Sequence, residues 1–144
     1  STGTAESVDY YADDVITLLG LLHELQQSDM NNVFMWSHSM GGGVSLRAML
    51  ATDIIRGASF WATMPVGDTV AENGVPEVPV VLHHAVGDAS TASSNSDVFA
   101  EALEADGRPP VFYSYDGADH YFEGAARELA ADRDATFFRS LMNE

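Results

Sequence analysis

Apolar positions recur with two different periods along the chain, and the two periods alternate. Residues 11–25 place apolar side chains three or four positions apart, which is the spacing of a helix with one buried face. Short apolar runs typical of buried strands, and further stretches with helical spacing, follow in turn. The strand candidates are residues 33–36, 58–62, 78–86 and 111–115, and the later helices run through residues 41–50, 94–103 and 137–142. This alternation predicts an α/β domain with a mostly parallel sheet of about four strands.

Several single residues predict where these elements begin and end. Ser7 is a candidate N-cap for the first helix, and Ser94 and Asp97 have the spacing of a capping box at the start of a later one. Gly107 is a candidate end for that later helix. Residues 64–77 carry two prolines and two glycines, so we expect a loop there.

The length and composition indicate one folded domain over residues 1–144. The chain has 144 residues, of which 46% are hydrophobic and 19% charged, as in globular proteins. No apolar run approaches the ~18 residues of a membrane helix, and no signal segment opens the chain. We therefore expect no membrane partner and a cytoplasmic location, although Ser1 in place of methionine is also compatible with a processed or trimmed start.

The charge balance is strongly acidic. Twenty-two Asp and Glu residues stand against six basic residues, all of them Arg, for a formal net charge of −16. Such a surface repels phosphate backbones, which argues against a nucleic-acid partner. It is compatible with adaptation to high salt, as in halophilic proteins, or with cation binding; an ordinary acidic surface is the alternative.

The most specific motif lies between the first strand and the helix that follows it. Ser39 stands there between Ser37 and Gly41, and residues 41–43 are all glycine. A serine on a sharp turn from a strand into a helix is typical of a nucleophile elbow, which raises the hydroxyl above the end of the sheet. The start of the helix also directs backbone N–H groups at the same point, where they suit an oxyanion. The alternative is a tight turn that merely tolerates serine.

Two further residues complete a candidate catalytic triad. Asp88 follows the third predicted strand and His120 follows the fourth. Because the carboxyl ends of parallel strands meet at one edge of a sheet, we expect both to lie close to Ser39. Asp116 and Asp119 are rival acids, but they lie too near His120 in sequence to be the first choice.

The sequence gives little support for a metal or a cofactor. The chain has no cysteine, which excludes disulfides, thiolate nucleophiles and Cys-type zinc sites. His83 and His84 are adjacent on a strand, so they point to opposite faces and cannot both bind one metal. The remaining His and carboxylate residues have no recognisable ligand spacing. We expect no metal and no cofactor.

Four segments together resemble the α/β-hydrolase superfamily, in the dienelactone-hydrolase and prolyl-oligopeptidase-type branch. They are Ser-His-Ser-Met-Gly-Gly at 37–42, Val-Gly-Asp at 86–88, Gly-Ala-Asp-His at 117–120 and Tyr-Tyr-Ala-Asp-Asp at 10–14. The resemblance covers nearly the whole chain, but only the second half of the family fold. It implies a minimal three-layer core with no cap domain, in which Ser39 is the nucleophile. Asp88 and His120 would form its relay, and the Met40 N–H would be one oxyanion donor.

This sequence departs from the family pattern in two places. Ser37 stands where the first glycine of the elbow is usual, a small change that leaves the turn feasible. The early strands of the family fold are absent, and with them the loop that usually supplies the second oxyanion donor. The absent strands would also leave residues 33–36 at an edge of the sheet, and an apolar edge invites pairing with a second chain. We therefore expect a homo-oligomer, most simply a two-fold dimer.

The function that follows from these residues is hydrolysis of small carboxylic esters through an acyl-enzyme. An open site without a lid favours short acyl groups, and peptidase activity is less favoured because the resembled peptidases use extra domains. The side chains expected to contact the substrate are Trp61, Met64, Tyr121 and Phe122. The alternatives are a non-catalytic binding module of the same fold and a fragment that lacks a complete oxyanion hole.

Overall fold

The computed structural model describes residues 3–142, and its side chains from Val8 onward. Within those residues the chain forms five α-helices and four strands. In chain order they are α1 (Gly3–Leu21), β1 (Val33–His38), α2 (Met40–Leu50), β2 (Ile55–Trp61), α3 (Gly67–Asn73), β3 (Val80–Ala85), α4 (Ser94–Ala105), β4 (Val111–Tyr115) and α5 (Ala125–Leu141), with a short 3-10 turn at Leu22–Glu24 after α1.

The four strands form one parallel sheet in the order β1-β2-β3-β4. Strand order therefore follows chain order, and each helix between two strands is a crossover to the neighbouring strand. Parallel pairing directs the carboxyl ends of all four strands to the same edge of the sheet. The predicted α/β class and the four-stranded parallel sheet are confirmed.

Helices cover both faces of the sheet unequally. On one face α1, α2, α3 and α4 bury a large apolar cluster that includes Leu46, Phe60, Leu82 and Phe99. On the other face α5 packs alone, with Phe137 and Leu141 approaching the strand β2 where Gly57 leaves room for them. The result is the expected three-layer arrangement, and residues 3–142 contain no inserted cap.

Three sequence expectations about element boundaries are wrong. Residues 64–77 are not all loop, because α3 occupies Gly67–Asn73 and buries Thr69. Seven residues are too few to show a helical period, so the proline and glycine signals on either side dominated the pattern. Ser7 lies inside α1, and Ser94 lies inside α4 after Ser93, which makes no side-chain capping hydrogen bond.

The predicted end of α4 is confirmed. Gly107 has φ of +80° and donates its N–H to Glu104 O at 2.9 Å. A left-handed residue just past the last turn is a common helix ending that glycine adopts without strain. Among the residues described, no helix is both long and apolar enough to cross a membrane.

Candidate active site

Ser39 occupies a strained turn between β1 and α2. Its φ is +54° and its ψ −122°, a combination that residues with a side chain rarely adopt and that persists where surrounding contacts enforce it. Those contacts come from β2 and the loop after it: the Ser39 N–H donates to Trp61 O at 2.9 Å, and Ser39 O accepts from Met64 N at 3.1 Å. Met40 opens α2, so its N–H has no acceptor within the helix and is the expected oxyanion donor.

Two of the three glycines after the elbow, Gly41 and Gly42, differ in how closely other residues pack against them. A Cβ on Gly42 would lie 2.1 Å from Thr63 Oγ1, whereas a Cβ on Gly41 would meet only Ser37 Cβ at an ordinary 3.6 Å. Close approach of α2 to the chain after β2 therefore depends on Gly42. Ser37, at the position of the usual first glycine, fits the turn, but its hydroxyl is buried and finds no hydrogen-bond partner among the residues described.

Asp88 and His120 meet at the carboxyl edge of the sheet. His120 Nδ1 lies 2.7 Å from Asp88 Oδ2. Because an ionised carboxylate only accepts, His120 must carry its proton on Nδ1, which leaves Nε2 free to take a proton from a nucleophile. Asp116 and Asp119, the rival acids, are exposed, and the Asp119 carboxylate accepts from Tyr121 N instead.

The loop after β3 holds the Asp88 carboxylate in its ionised form. Burial of this side chain raises its pKa, but hydrogen bonds from Thr91, His120 and Ser90 outweigh burial and lower the pKa from 3.8 to about 2. Oδ1 accepts from Ser90 N at 2.8 Å and Thr91 N at 2.9 Å, and the Thr91 hydroxyl lies 2.9 Å from Oδ2. Asp88 is therefore a fixed, charged acceptor for the imidazole.

His38 connects the loop that carries His120 to the serine turn. Its Nε2–H donates to His120 O at 2.7 Å, and the two imidazole rings lie 4.6 Å apart between centroids. The Tyr121 ring lies 5.2 Å from that of His120 and 5.9 Å from that of His38, so the three rings form one cluster. The contact from His38, the residue before Ser39, thus joins the loop that carries His120 to the turn that carries Ser39.

A buried polar cluster on the α5 face anchors Trp61. Asp134 of α5 accepts from Trp61 Nε1 at 2.8 Å, from Ser59 Oγ at 2.7 Å and from His83 Nε2 at 2.9 Å. His83 Nδ1 accepts from the Tyr115 hydroxyl at 2.7 Å, and burial raises the pKa of that phenol. Because Trp61 O accepts a hydrogen bond from the Ser39 N–H, this cluster on the α5 face of the sheet also stabilises the serine turn.

His83 and His84 do lie on opposite faces. His83 belongs to the Asp134 cluster, whereas His84 donates from Nε2 to Thr91 O at 3.0 Å and accepts at Nδ1 from Ser96 Oγ at 2.7 Å. His84 therefore supports the Asp88 loop. In residues 3–142 no group of three His, Asp or Glu side chains is placed to hold a metal ion.

The four side chains expected to contact the substrate are not in one place. Trp61 and Tyr121 line a cavity of about 480 Å³ beside His120, together with Trp36, His38 and Arg127. Met64 lines a separate cavity of about 330 Å³ between α1, α2 and the segment that leads into α3. Phe122 is fully buried and packs against Trp61 and Tyr115, so it contributes to the core and reaches neither cavity wall.

Sequence reasoning missed three contributors to this site. Thr91 follows Asp88 by three residues, and Asp-x-Ser-Thr is a pattern for side-chain-to-backbone turns that could have identified it. His38 lies within the Ser-His-Ser segment at 37–39, and its place beside Ser39 is a usable signal. Asp134 lies in the last helix, 73 residues from Trp61 in sequence, and no local pattern connects the two.

The parallel sheet, the crossover helices and the strained serine turn define an α/β hydrolase fold. A sequence model of the dienelactone hydrolase family matches residues 3–139, and the chain belongs to that family. No curated protein matches the sequence.

Solved structures share this fold at low sequence identity. Esterase PE8 superposes with a TM-score of 0.79 at 14% identity, over 96% of this chain and 64% of that one. Dipeptidyl peptidase 4 of Porphyromonas gingivalis gives 0.77 at 18% identity, over 92% of this chain and 23% of that one. A puromycin-hydrolysing peptidase of Mycobacterium tuberculosis gives 0.73 at 19%, over 92% and 25%. The chain therefore spans about a quarter of these peptidases and less than two thirds of the esterase.

Proposed function

We propose that this hydrolase cleaves small carboxylic esters through Ser39, His120 and Asp88. The observation that carries the proposal is the Asp88–His120 hydrogen bond of 2.7 Å beside the strained Ser39 turn. A carboxylate fixed on Nδ1 orients the imidazole and stabilises its protonated form, which is what nucleophilic activation of serine requires. Membership of the dienelactone hydrolase family and the likeness to an esterase support hydrolysis as the reaction class.

The reaction follows from the positions of these groups. Ser39 Oγ adds to the acyl carbon while His120 Nε2 takes the hydroxyl proton, and the Met40 N–H faces the oxyanion that develops. The imidazolium then protonates the alcohol oxygen as the ester bond breaks, which leaves an acyl group on Ser39. Water, deprotonated by His120, adds to the acyl carbon and releases the acid and the free serine.

A non-catalytic binding module is the second candidate. The hydrogen bonds found among the described side chains do not include one between Ser39 Oγ and His120. Catalytic hydrogen bonds are often long without substrate and tighten in the complex, so this observation does not outweigh the relay geometry.

Covalent labelling separates the two candidates. A fluorophosphonate probe phosphonylates a serine only when a neighbouring base activates it, so we expect the unmodified chain to be labelled at Ser39 and Ser39→Ala to be unlabelled and inactive on short-chain esters. Ser140→Ala is the matched control, because Ser140 is exposed on α5 and donates only to Phe137 O. A chain that takes up no probe, or a Ser39→Ala variant that hydrolyses esters at the original rate, contradicts the proposal.

A further inference from the structure

The cavity of about 480 Å³ beside His120 has an unusual lining. Four of its five wall residues carry rings, and the fifth is Arg127. The Trp36 ring packs edge-on against Trp61 with centroids 5.5 Å apart, and the Tyr121 ring lies 5.9 Å from that of His38. Its volume is within the range of pockets that take small organic molecules.

The proposed role of His120 as an acid indicates which part of the ester, the alcohol or the acyl group, lies nearer this cavity. In the proposed mechanism His120 delivers its proton to the alcohol oxygen, so the alcohol group of the ester must lie beside the His120 ring. His38 and Tyr121, whose rings both contact the His120 ring, are walls of the cavity, although His120 itself does not line it. An alcohol group that extends from His120 past these two side chains would enter the cavity.

The walls are suited to stacking more than to hydrogen bonding. The Trp61 N–H is already taken up by Asp134 and Ser59, which fixes the indole. Trp61 is only 5% exposed, so a small part of its ring surface faces the cavity and Trp36 and Tyr121 offer most of the stacking surface. Arg127 donates from Nη2 to Tyr121 O at 2.9 Å, a bond that fixes the position of its guanidinium and leaves its other N–H groups at the cavity wall. Trp36 lies on the edge strand β1 and is 53% exposed, so part of its ring is open to a ligand.

We propose that this cavity binds an aromatic ring in the alcohol part of the ester, so that the preferred substrates are arylmethyl or related aryl esters of small acids. The inference rests on the proposed esterase function and extends it to the leaving group. Hydrolysis of benzyl acetate then gives acetate and benzyl alcohol: water supplies the hydroxyl of the acid, and His120 supplies the proton of the alcohol. Aromatic pairs contribute about 0.5–1.5 kcal/mol beyond buried area, which corresponds to a preference of about 2- to 10-fold.

Binding can be tested without any turnover. Trp36 and Trp61 are the two tryptophans of the chain, so the two indole N–H signals in a ¹⁵N NMR spectrum both report on this cavity. We expect benzyl alcohol to shift both signals with a dissociation constant about 2- to 10-fold lower than that of cyclohexylmethanol, a saturated ring of similar size. Equal affinities, or no shift of either signal with benzyl alcohol, would overturn the inference.

Kinetics distinguish this inference from the function on which it rests. Benzyl acetate should exceed cyclohexylmethyl acetate in kcat/KM by about 2- to 10-fold, and Trp36→Leu should bring the ratio close to one. Tyr10→Leu is the control, since Tyr10 is 71% exposed on α1, and it should keep the original ratio. Hydrolysis of both esters at one rate refutes the aryl preference alone, whereas selective NMR shifts without hydrolysis of either ester refute the esterase and leave the aryl site standing.

Discussion

Gly42 offers the sharpest test of how the elbow is packed. Replacing it with alanine places a Cβ 2.1 Å from Thr63 Oγ1 and 3.1 Å from Thr63 Cβ, both in a fully buried residue. Gly41→Ala is the matched control, because it changes the same turn of α2 and meets nothing closer than 3.6 Å. Taking the difference between the two variants cancels the gain in helix preference that alanine brings to each.

The expected magnitude comes from the cost of overpacking, which is about 1–3 kcal/mol in a well-packed core. For a chain of this size that is a difference in Tm of about 3–12 °C between the variants, measured by circular dichroism. Removing the Thr63 hydroxyl, together with its γ-methyl group, in Gly42→Ala/Thr63→Ala should recover part of the loss, since Thr63 Oγ1 is the closer of the two contacts. Equal melting temperatures for the single variants, or no recovery in the double variant, would refute the assignment of close approach to Gly42.

Three further predictions concern charge and assembly. The pKa of Asp88 is lowered to about 2 from 3.8, so the ionised carboxylate stabilises the fold above pH ~4, and this stabilisation is lost as the pH falls towards 2. The difference in Tm between the unmodified chain and Asp88→Asn should therefore narrow between pH ~4 and 2. A difference that stays constant over this interval contradicts the prediction. Self-repulsion at a net charge of −16 should make the Tm rise from low salt to molar NaCl, and a flat or falling Tm argues against adaptation to salt. We propose that the free edge of β1 pairs with a second copy, so that sedimentation at micromolar concentration gives a particle of two 15.5 kDa chains, whereas a 15.5 kDa monomer would mean that the edge stays unpaired.

The sequence predicted the elements whose signals are local. β4 has the bounds expected for it, Val111–Tyr115, because a five-residue apolar run between turn residues has few other structures open to it. The positions of Ser39, Asp88 and His120 at strand ends followed from the same patterns, since parallel pairing brings those ends together. α3 was missed because seven residues carry too little periodicity to outweigh the proline and glycine beside them.

The parts of the site that depend on side chains distant in sequence could not be predicted in this way. No local pattern distinguishes Asp134 from the other carboxylates of this acidic chain, yet it is buried against Trp61 and Ser59. Phe122, next to the exposed Tyr121, looked like a substrate contact, but its φ of +53° turns the chain so that its ring enters the core. Both outcomes are decided by how α5 packs on the sheet, which sequence spacing does not encode.

The order of the strands has a consequence for synthesis on the ribosome. Because the sheet runs β1-β2-β3-β4 in chain order, each strand leaving the exit tunnel can add to the open edge of the strand before it, and none has to be inserted between two already paired. The serine turn is therefore built first, the aspartate loop after β3, and the histidine loop only after β4. Asp134, which secures Trp61 beneath the turn, emerges last. In a growing chain the proposed nucleophile Ser39 therefore emerges 120 − 39 = 81 residues before His120, the base that would activate it.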